Sequence, residues 1–324
     1  MSSAQTFPSS TVAPRLQLAA PAVLRRYAWG VLVYNVLVVL WGAVVRATSS
    51  GAGCGAHWPL CNGVVLQTHP RLATIIELAH RMSSGLTIPL VLLLVVWTFR
   101  STIPGHLARI WAVVATVLTF NEGLLGALLV LLRLTADNRS PARAVYLSLH
   151  LANTLLLLGA LALAAHFLSR GRAFRRQDAR FQQLPIGITG LVAILVVGAT
   201  GTLAALSDTL FPAVSLRAAF AQDFSGSGGW LLRLRILHPA AAVVAALFIV
   251  WLLVRSFARP SERRLAIWVG CLLAMQFGLG LLDVALLAPV WLQIVHLLGA
   301  DLFWIALVVL AAKVCVRDQL ESVA

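Results

Sequence analysis

Four histidines stand at matching places in four apolar stretches: His80 in ELAHRMSSG, His150 in LSLHLANT, His238 in LRILHPAAA and His296 in LQIVHLLGAD. A neutral imidazole is a good axial ligand for porphyrin-held iron, and two from facing helices can grip one haem from both sides. Four at one depth imply two such pockets, so the chemistry within reach is redox chemistry at a haem. The other histidines lack this setting. His57 and His69 fall in an outer loop, His106 in an inner loop and His166 at an inner helix end, and all are expected to be solvated.

Glu77 lies three residues before His80, one helical turn outward on the same face. A carboxylate at membrane depth costs roughly 2.5–3.5 kcal/mol on insertion scales, so it faces a cavity, a partner or a reaction. Arg46 and Arg81 are its candidate ion-pair partners. The matching position before His238 is Arg235, so the two halves share candidate ligands but not the neighbouring charge. Glu122, Asp283 and Asp301 also lie in or near apolar stretches, but none repeats the spacing of Glu77 and His80. In the loop VVRATSSGAGCGAHWPLCNG, Cys54 and Cys61 are seven apart with Gly and Pro between; on an oxidising face such a pair can close a short disulfide. Cys271 and Cys315 sit in helical stretches as small apolar packing residues.

The elements that must position these side chains are membrane helices. Hydrophobic residues make up 60% of the chain and charged residues 11%, with a mean hydropathy of +0.90. Soluble domains carry about 25% charged residues. A hydrocarbon core of ~30 Å needs about 20 apolar residues per helix, and eight stretches qualify, at 28–46, 72–99, 108–132, 144–168, 184–206, 231–254, 264–287 and 290–315. Residues 1–27 form a tail, Ser/Ala/Pro-rich at its start and without the apolar run of a signal peptide, expected to be disordered and cytosolic. Arginines gather on segments that share the N-terminal side, among them Arg25, Arg26, Arg100, Arg109, Arg170, Arg172, Arg175 and Arg176. Both termini are therefore expected in the cytoplasm. The net charge of +14 follows from such loops beside anionic lipid. Without basic clusters interleaved with exposed aromatics, no nucleic-acid partner is expected.

The chain reads as two halves: an N-terminal four-helix bundle over 28–168, a cytosolic linker over 169–183, a C-terminal four-helix bundle over 184–316 and a tail over 317–324. His80 and His150 on helices 2 and 4 echo His238 and His296 on helices 6 and 8, at offsets of 238−80 = 158 and 296−150 = 146. Helices 3 and 7 echo as NEGLLGALL and QFGLGLLDVALL, aligning Gly123 with Gly278. Four helices per repeat put both halves in one orientation, with a pseudo-twofold axis along the membrane normal. All four histidine-bearing helices then run inward. Their imidazoles lie ~9–12 Å from the outer helix ends at 1.5 Å per residue, all toward the outer face.

The string VVRATSSGAGC…HWPLCNG followed by ELAHRMSSG resembles the haem A synthase family, and the resemblance extends over all eight spans. It implies an eight-helix inner (plasma) membrane protein that oxidises a ring methyl of haem O to a formyl group, by two successive hydroxylations with water-derived oxygen. By the same resemblance His80 and His150 flank the substrate haem O, Glu77 serves the reaction, His238 and His296 ligate a haem b, and Cys54 and Cys61 match a disulfide pair. A membrane electron acceptor, a haem O synthase and a second copy of the chain are the partners it suggests. Two other readings remain open: a di-haem electron-transfer protein of the b-type cytochrome kind, and a haem-handling protein. A carrier would usually set its haems toward opposite faces, whereas these four histidines lie toward one. The long third outer loop, GTLAALSDTLFPAVSLRAAFAQDFSGSGG, has no assigned role at this level.

Overall fold

The computed structural model describes residues 20–64, 68–170, 179–181, 184–224, 229–257 and 259–318. The expected disordered start of the N-terminal tail and most of the 169–183 linker lie outside these residues. Among the described residues the fold is all-helical apart from one short strand pair. Its helices are α1 (Ala22–Ala47), α2 (Leu72–Ser101), α3 (Leu107–Leu131), α4 (Pro141–Leu168), α5 (Leu184–Leu210), α6 (Leu216–Phe224), α7 (Trp230–Leu234), α8 (Leu237–Phe257), α9 (Pro260–Ala285) and α10 (Val290–Cys315). Among the described residues, eight helical spans are long and apolar enough to cross a bilayer, with α7 and most of α8 forming one of them. They match the eight stretches expected from hydropathy to within a few residues at most ends. Strands β1 (Ala179–Phe181) and β2 (Val316–Asp318) pair antiparallel, tying the linker to the end of α10. Neither strand is signalled by the sequence pattern.

Within the N-terminal half α1 packs on α2, α2 on α3 and α3 on α4; within the other, α5 packs on α8, α8 on α9 and α9 on α10. The α1–α2 seam has a visible register. Tyr27, Tyr34 and Trp41 recur every seven residues on α1 and donate to the carbonyls of Leu90 (2.8 Å), Ser83 (2.7 Å) and Ile76 (3.0 Å), which recede every seven on α2. Seven residues are nearly two helical turns, so one stripe of aromatics fixes the antiparallel alignment.

The two halves meet where α4 packs on α5 and α10 and where α1 packs on α10. α4 is the most deeply buried span, its inner two-thirds rich in Ala and Leu around Gly159. A Cβ at Gly159 would stand 3.3 Å from Trp304 Nε1, and that indole donates to the carbonyl of Leu155. Small residues let the backbones approach, which drives helix association where water supplies no hydrophobic push. The main core therefore continues from α1, α2 and α4 into Trp304, Val308 and Ala312 of α10 rather than closing within each half. Many large apolar side chains on the outward faces, such as Leu37, Val117 and Val244, are exposed and suited to lipid.

One span is broken. α7 ends at Leu234, and after a turn at Arg235 and Ile236 α8 restarts at Leu237. The cause stands just beyond the break: Pro239 lacks an N–H, and its ring collides with the carbonyl four residues earlier, that of Arg235. His238 thus sits in the first turn of a new helix instead of two turns inside a continuous one.

Candidate functional site

Each of the four histidines rests on a glycine of the preceding span. A Cβ built on Gly42 of α1 would lie 3.0 Å from His80 Cε1, and one on Gly201 of α5 would lie 3.0 Å from His238 Cε1. The same construction gives 3.8 Å from Gly126 of α3 to His150 and 3.5 Å from Gly280 of α9 to His296. At Gly42 and Gly201 any side chain would press on the imidazole. The glycines aligned from the sequence, Gly123 and Gly278, are not these seats and meet nothing within 4 Å. The seats lie three residues further on in α3 and two in α9. An alignment by string similarity carries no information about which helix face looks inward.

In the second half the rings of His238 and His296 have centroids 6.4 Å apart and planes at 89°. With metal–imidazole bonds of about 2.0–2.1 Å and ring centres about 1 Å beyond the bonding nitrogen, two trans imidazoles put their centroids about 6 Å apart. The observed centroid separation is compatible with one iron atom shared by the two rings. Among the described residues no three His, Cys, Asp or Glu side chains gather to hold a bare metal ion. Two opposed imidazoles are what a porphyrin leaves for the protein to supply. His238 Nδ1 meets the carbonyl of Val197 at 3.1 Å, while His296 Nδ1 is buried with no hydrogen-bond partner.

In the first half His80 and His150 lie within electrostatic reach of each other. His80 Nδ1 is buried without a partner. His150 Nδ1 lies 3.2 Å from Glu122 Oε1 of α3, with the carboxylate off the line of an ideal N–H bond. Glu122 also takes the Asn153 amide at 2.5 Å and the Thr154 hydroxyl. Sequence spacing passed over Glu122, because its partner is on the next helix and not one turn away on its own.

Glu77 is buried and its two oxygens are separately engaged. Oε1 takes the Arg81 guanidinium at 2.6 and 3.1 Å, and Oε2 accepts from the Cys54 backbone N–H at 2.8 Å. Arg81 in turn donates to the carbonyls of His57 (2.6 Å) and Leu60 (2.8 Å). Cys54 and Cys61 form a disulfide. The loop between α1 and α2 is therefore closed on itself covalently and moored to α2 through Glu77 and Arg81, on either side of His80 in sequence. Of the two ion-pair partners the sequence offers Glu77, the structure selects Arg81. Arg46 reaches across the halves to the Ala205 carbonyl (2.9 Å), Thr209 (2.9 Å) and Gln293 (2.8 Å).

The segment that carries α6 also has an anchor. Arg235 binds Asp208 at the end of α5 (2.7 Å) and Asp223 in α6 (2.6 Å). α6 is thereby held to the second half by the arginine one turn from His238, in the place where the first half has Glu77.

Of the remaining histidines, His57 and His69 are exposed, as expected. His106 is not solvated: it is 3% exposed, and its Nδ1 accepts the Ala108 N–H at 3.1 Å, capping α3. Four orphan N–H groups at a helix start attract such an acceptor. Burial, with the nearby Arg109 cation second, lowers its pKa to about 4. His166 is half-buried against Phe167.

The family model described as cytochrome oxidase assembly protein matches residues 25–308, all but the ends of the membrane domain. A protein of Thermus thermophilus named protoheme IX farnesyltransferase is 46% identical over 297 residues, 91% of this chain but 49% of its own length. The heme A synthase of Halalkalibacterium halodurans is 44% identical over 92 residues, 28% of this chain and 31% of that protein. That of Alkalihalophilus pseudofirmus is 43% identical over 91 residues, again 28% of this chain and 31% of its own length. The chain thus spans about half the length of the Thermus relative it matches. With the family model covering most of its length, this chain belongs to the cytochrome oxidase assembly protein family.

Proposed function

We propose that this protein is a membrane-bound haem A synthase, oxidising the ring methyl of haem O to a formyl group. The observation that carries the reading is the four glycine-seated imidazoles, one pair with ring centroids at a separation compatible with a shared iron. Membership of a family that includes heme A synthases at 43–44% identity supports it.

In this reading His238 and His296 hold a resident haem b, and His80 and His150 bind the substrate haem O. A haem b held there would supply one-electron redox chemistry, with a membrane acceptor as the electron sink. Converting a methyl to a formyl group consumes one water overall and releases four electrons and four protons. If both His80 and His150 held the substrate haem, its iron would offer no open place for oxygen. Electrons then leave through the macrocycle and water supplies the oxygen, first to an alcohol and then to the aldehyde. Glu77 is the carboxylate nearest the outer side of this site. Its charge can stabilise a developing cation at the methyl carbon or accept a proton from it or from the attacking water. Arg81 and the Cys54 N–H hold that carboxylate in place, and the disulfide-closed loop shields it from bulk water.

We read the halves as repeats about an axis along the membrane normal, with both termini in the cytoplasm of a plasma-membrane protein and the haem sites toward the outer face. The glycine–imidazole contact found in each helix pair supports the repeat. A haem O synthase is the natural supplier of substrate, and the Thermus relative named for farnesyl transfer to protohaem, twice this chain's length, favours close physical partnership. A homo-oligomer is a further arrangement to be tested.

The test is to express the chain together with a haem O synthase, extract the haems and identify them by chromatography and mass. Haem A or its hydroxylated precursor is the expected product. Unchanged haem O and haem B alone would overturn the reading.

A further inference from the structure

We propose that Glu122 makes the two iron sites electrically unequal, holding the first-half iron at a lower reduction potential than the second-half iron. Electrons taken from the substrate would then run downhill to the second site. This rests on the reading that each imidazole pair carries a haem.

The asymmetry is in what stands behind each ligand. Glu122 Oε1 is 3.2 Å from His150 Nδ1. Its other partners are neutral donors, the Asn153 amide at 2.5 Å and the Thr154 hydroxyl. That amide is itself oriented, because Asn121 donates to Asn153 Oδ1 at 2.7 Å and Asn153 Nδ2 also reaches the Leu118 carbonyl at 3.0 Å. Among the described residues no Arg or Lys is in ion-pair contact with Glu122. Glu77 by contrast is neutralised by Arg81, and Asp208 and Asp223 by Arg235, while Asp283 and Asp301 make no contact with an imidazole nitrogen among the described residues. Among the described residues no carboxylate is in contact with either imidazole of the second pair, and Asp208, within electrostatic reach of His238, is itself paired with Arg235. His238 Nδ1 faces the Val197 carbonyl at 3.1 Å, and the Gln276 amide reaches only the backbone carbonyl of His296, at 3.3 Å.

An anion beside the outer nitrogen of a ligand imidazole makes it a stronger donor and favours the more positive ferric state; a neutral carbonyl does so less. The low dielectric of the surroundings strengthens the effect of an acid that touches a ligand imidazole and has no Arg or Lys in ion-pair contact. Glu122 is thus a positioning residue that also sets a potential. The Asn121–Asn153–Thr154 cluster holds it to that task.

The test is spectroelectrochemical titration of the purified, haem-loaded protein. Wild type should show two low-spin components with separate midpoints. Glu122→Gln, which keeps shape but removes charge, should raise the lower midpoint and leave the upper one in place. A tenfold loss of ferric over ferrous preference appears as 59 mV for a one-electron couple, and at least that shift is expected. Equal shifts of both midpoints, no shift, or movement of the upper one alone would overturn the proposal. If Glu122→Gln loses the first-half haem, Glu122→Asp decides. Retention at the wild-type lower midpoint supports the role of the charge, and retention at a raised midpoint refutes it. Wild-type protein that binds no haem would instead sink the functional reading itself, a result distinct from two haems with unaltered potentials.

Discussion

Glu77 has two duties within reach, mooring the outer loop and serving the reaction, and a matched pair of variants separates them. Glu77→Gln and Arg81→Gln each break the same ion pair, whose side chains are 4% and 10% exposed at a separation of 2.6 Å. Removing one partner of a buried pair costs about 3–5 kcal/mol when the other charge is stranded. Here a glutamine at position 77 still offers an oxygen to the Cys54 N–H, now 2.8 Å away, so the loss falls nearer the ~1.5–3 kcal/mol of one charged hydrogen bond. Both variants should therefore melt at somewhat lower temperatures and bind haem through intact His80 and His150. Their product yields should part. A positioned carboxylate that accepts a proton contributes about 10²–10⁴-fold, so Glu77→Gln should lose haem A formation by at least ~10²-fold, with haem O or its alcohol accumulating. Arg81→Gln keeps the carboxylate on its Cys54 tether and should lose less than about tenfold, well below the lower bound for a proton acceptor. The assay is haem extraction and chromatography at matched expression, beside thermal unfolding of each variant. Equal losses in both would reduce Glu77 to an anchor, and wild-type turnover by Glu77→Gln would remove it from the mechanism.

Four further outcomes are expected. His238→Ala or His296→Ala should lower the haem b content of purified protein and abolish its bis-imidazole absorption bands; unchanged spectra in both would refute that ligand pair. Gly201→Val should act like a ligand mutation at a distance, since even its Cβ would stand 3.0 Å from His238, whereas Gly278→Val, with open space around it, should retain haem. Mass mapping without reduction should find the Cys54 and Cys61 peptides joined; closing so short a loop is worth about 2.5 kcal/mol on chain entropy, so Cys54→Ser with Cys61→Ser should melt earlier, and an unchanged melting temperature would show that the Glu77–Arg81 mooring suffices. Acid should weaken the α3 cap: with His106 at about 4 in the fold against ~6.5 unfolded, its contribution is complete above pH 6.5, falls as pH drops toward 4, and amounts to at most about 3 kcal/mol. His106→Asn, which keeps an acceptor but cannot titrate, should flatten that part of the pH–stability curve, and an identical slope would exclude His106 as its source.

The eight spans, the four histidines and the loop cysteines were legible in the chain because each depends on local chemistry. Partition into a bilayer follows the apolar content of about twenty consecutive residues, and a ligand is recognised by its type and its place in such a run. The break before His238 was legible in principle from Pro239, through the carbonyl it displaces. What only the tertiary structure decided are the relations between helices. These are the glycine seats of the imidazoles, the contact of Glu122 with His150, the choice of Arg81 over Arg46 by Glu77, and the grip of Arg235 on α6. Each requires the rotation and register of two helices at once, set by side chains as distant as Tyr27, Tyr34 and Trp41 on α1 and by the close approach of α4 to α10 at Gly159. Hydropathy says that a helix crosses the membrane. It does not say which of its faces meets which neighbour, and the chemistry of this protein is arranged on those faces.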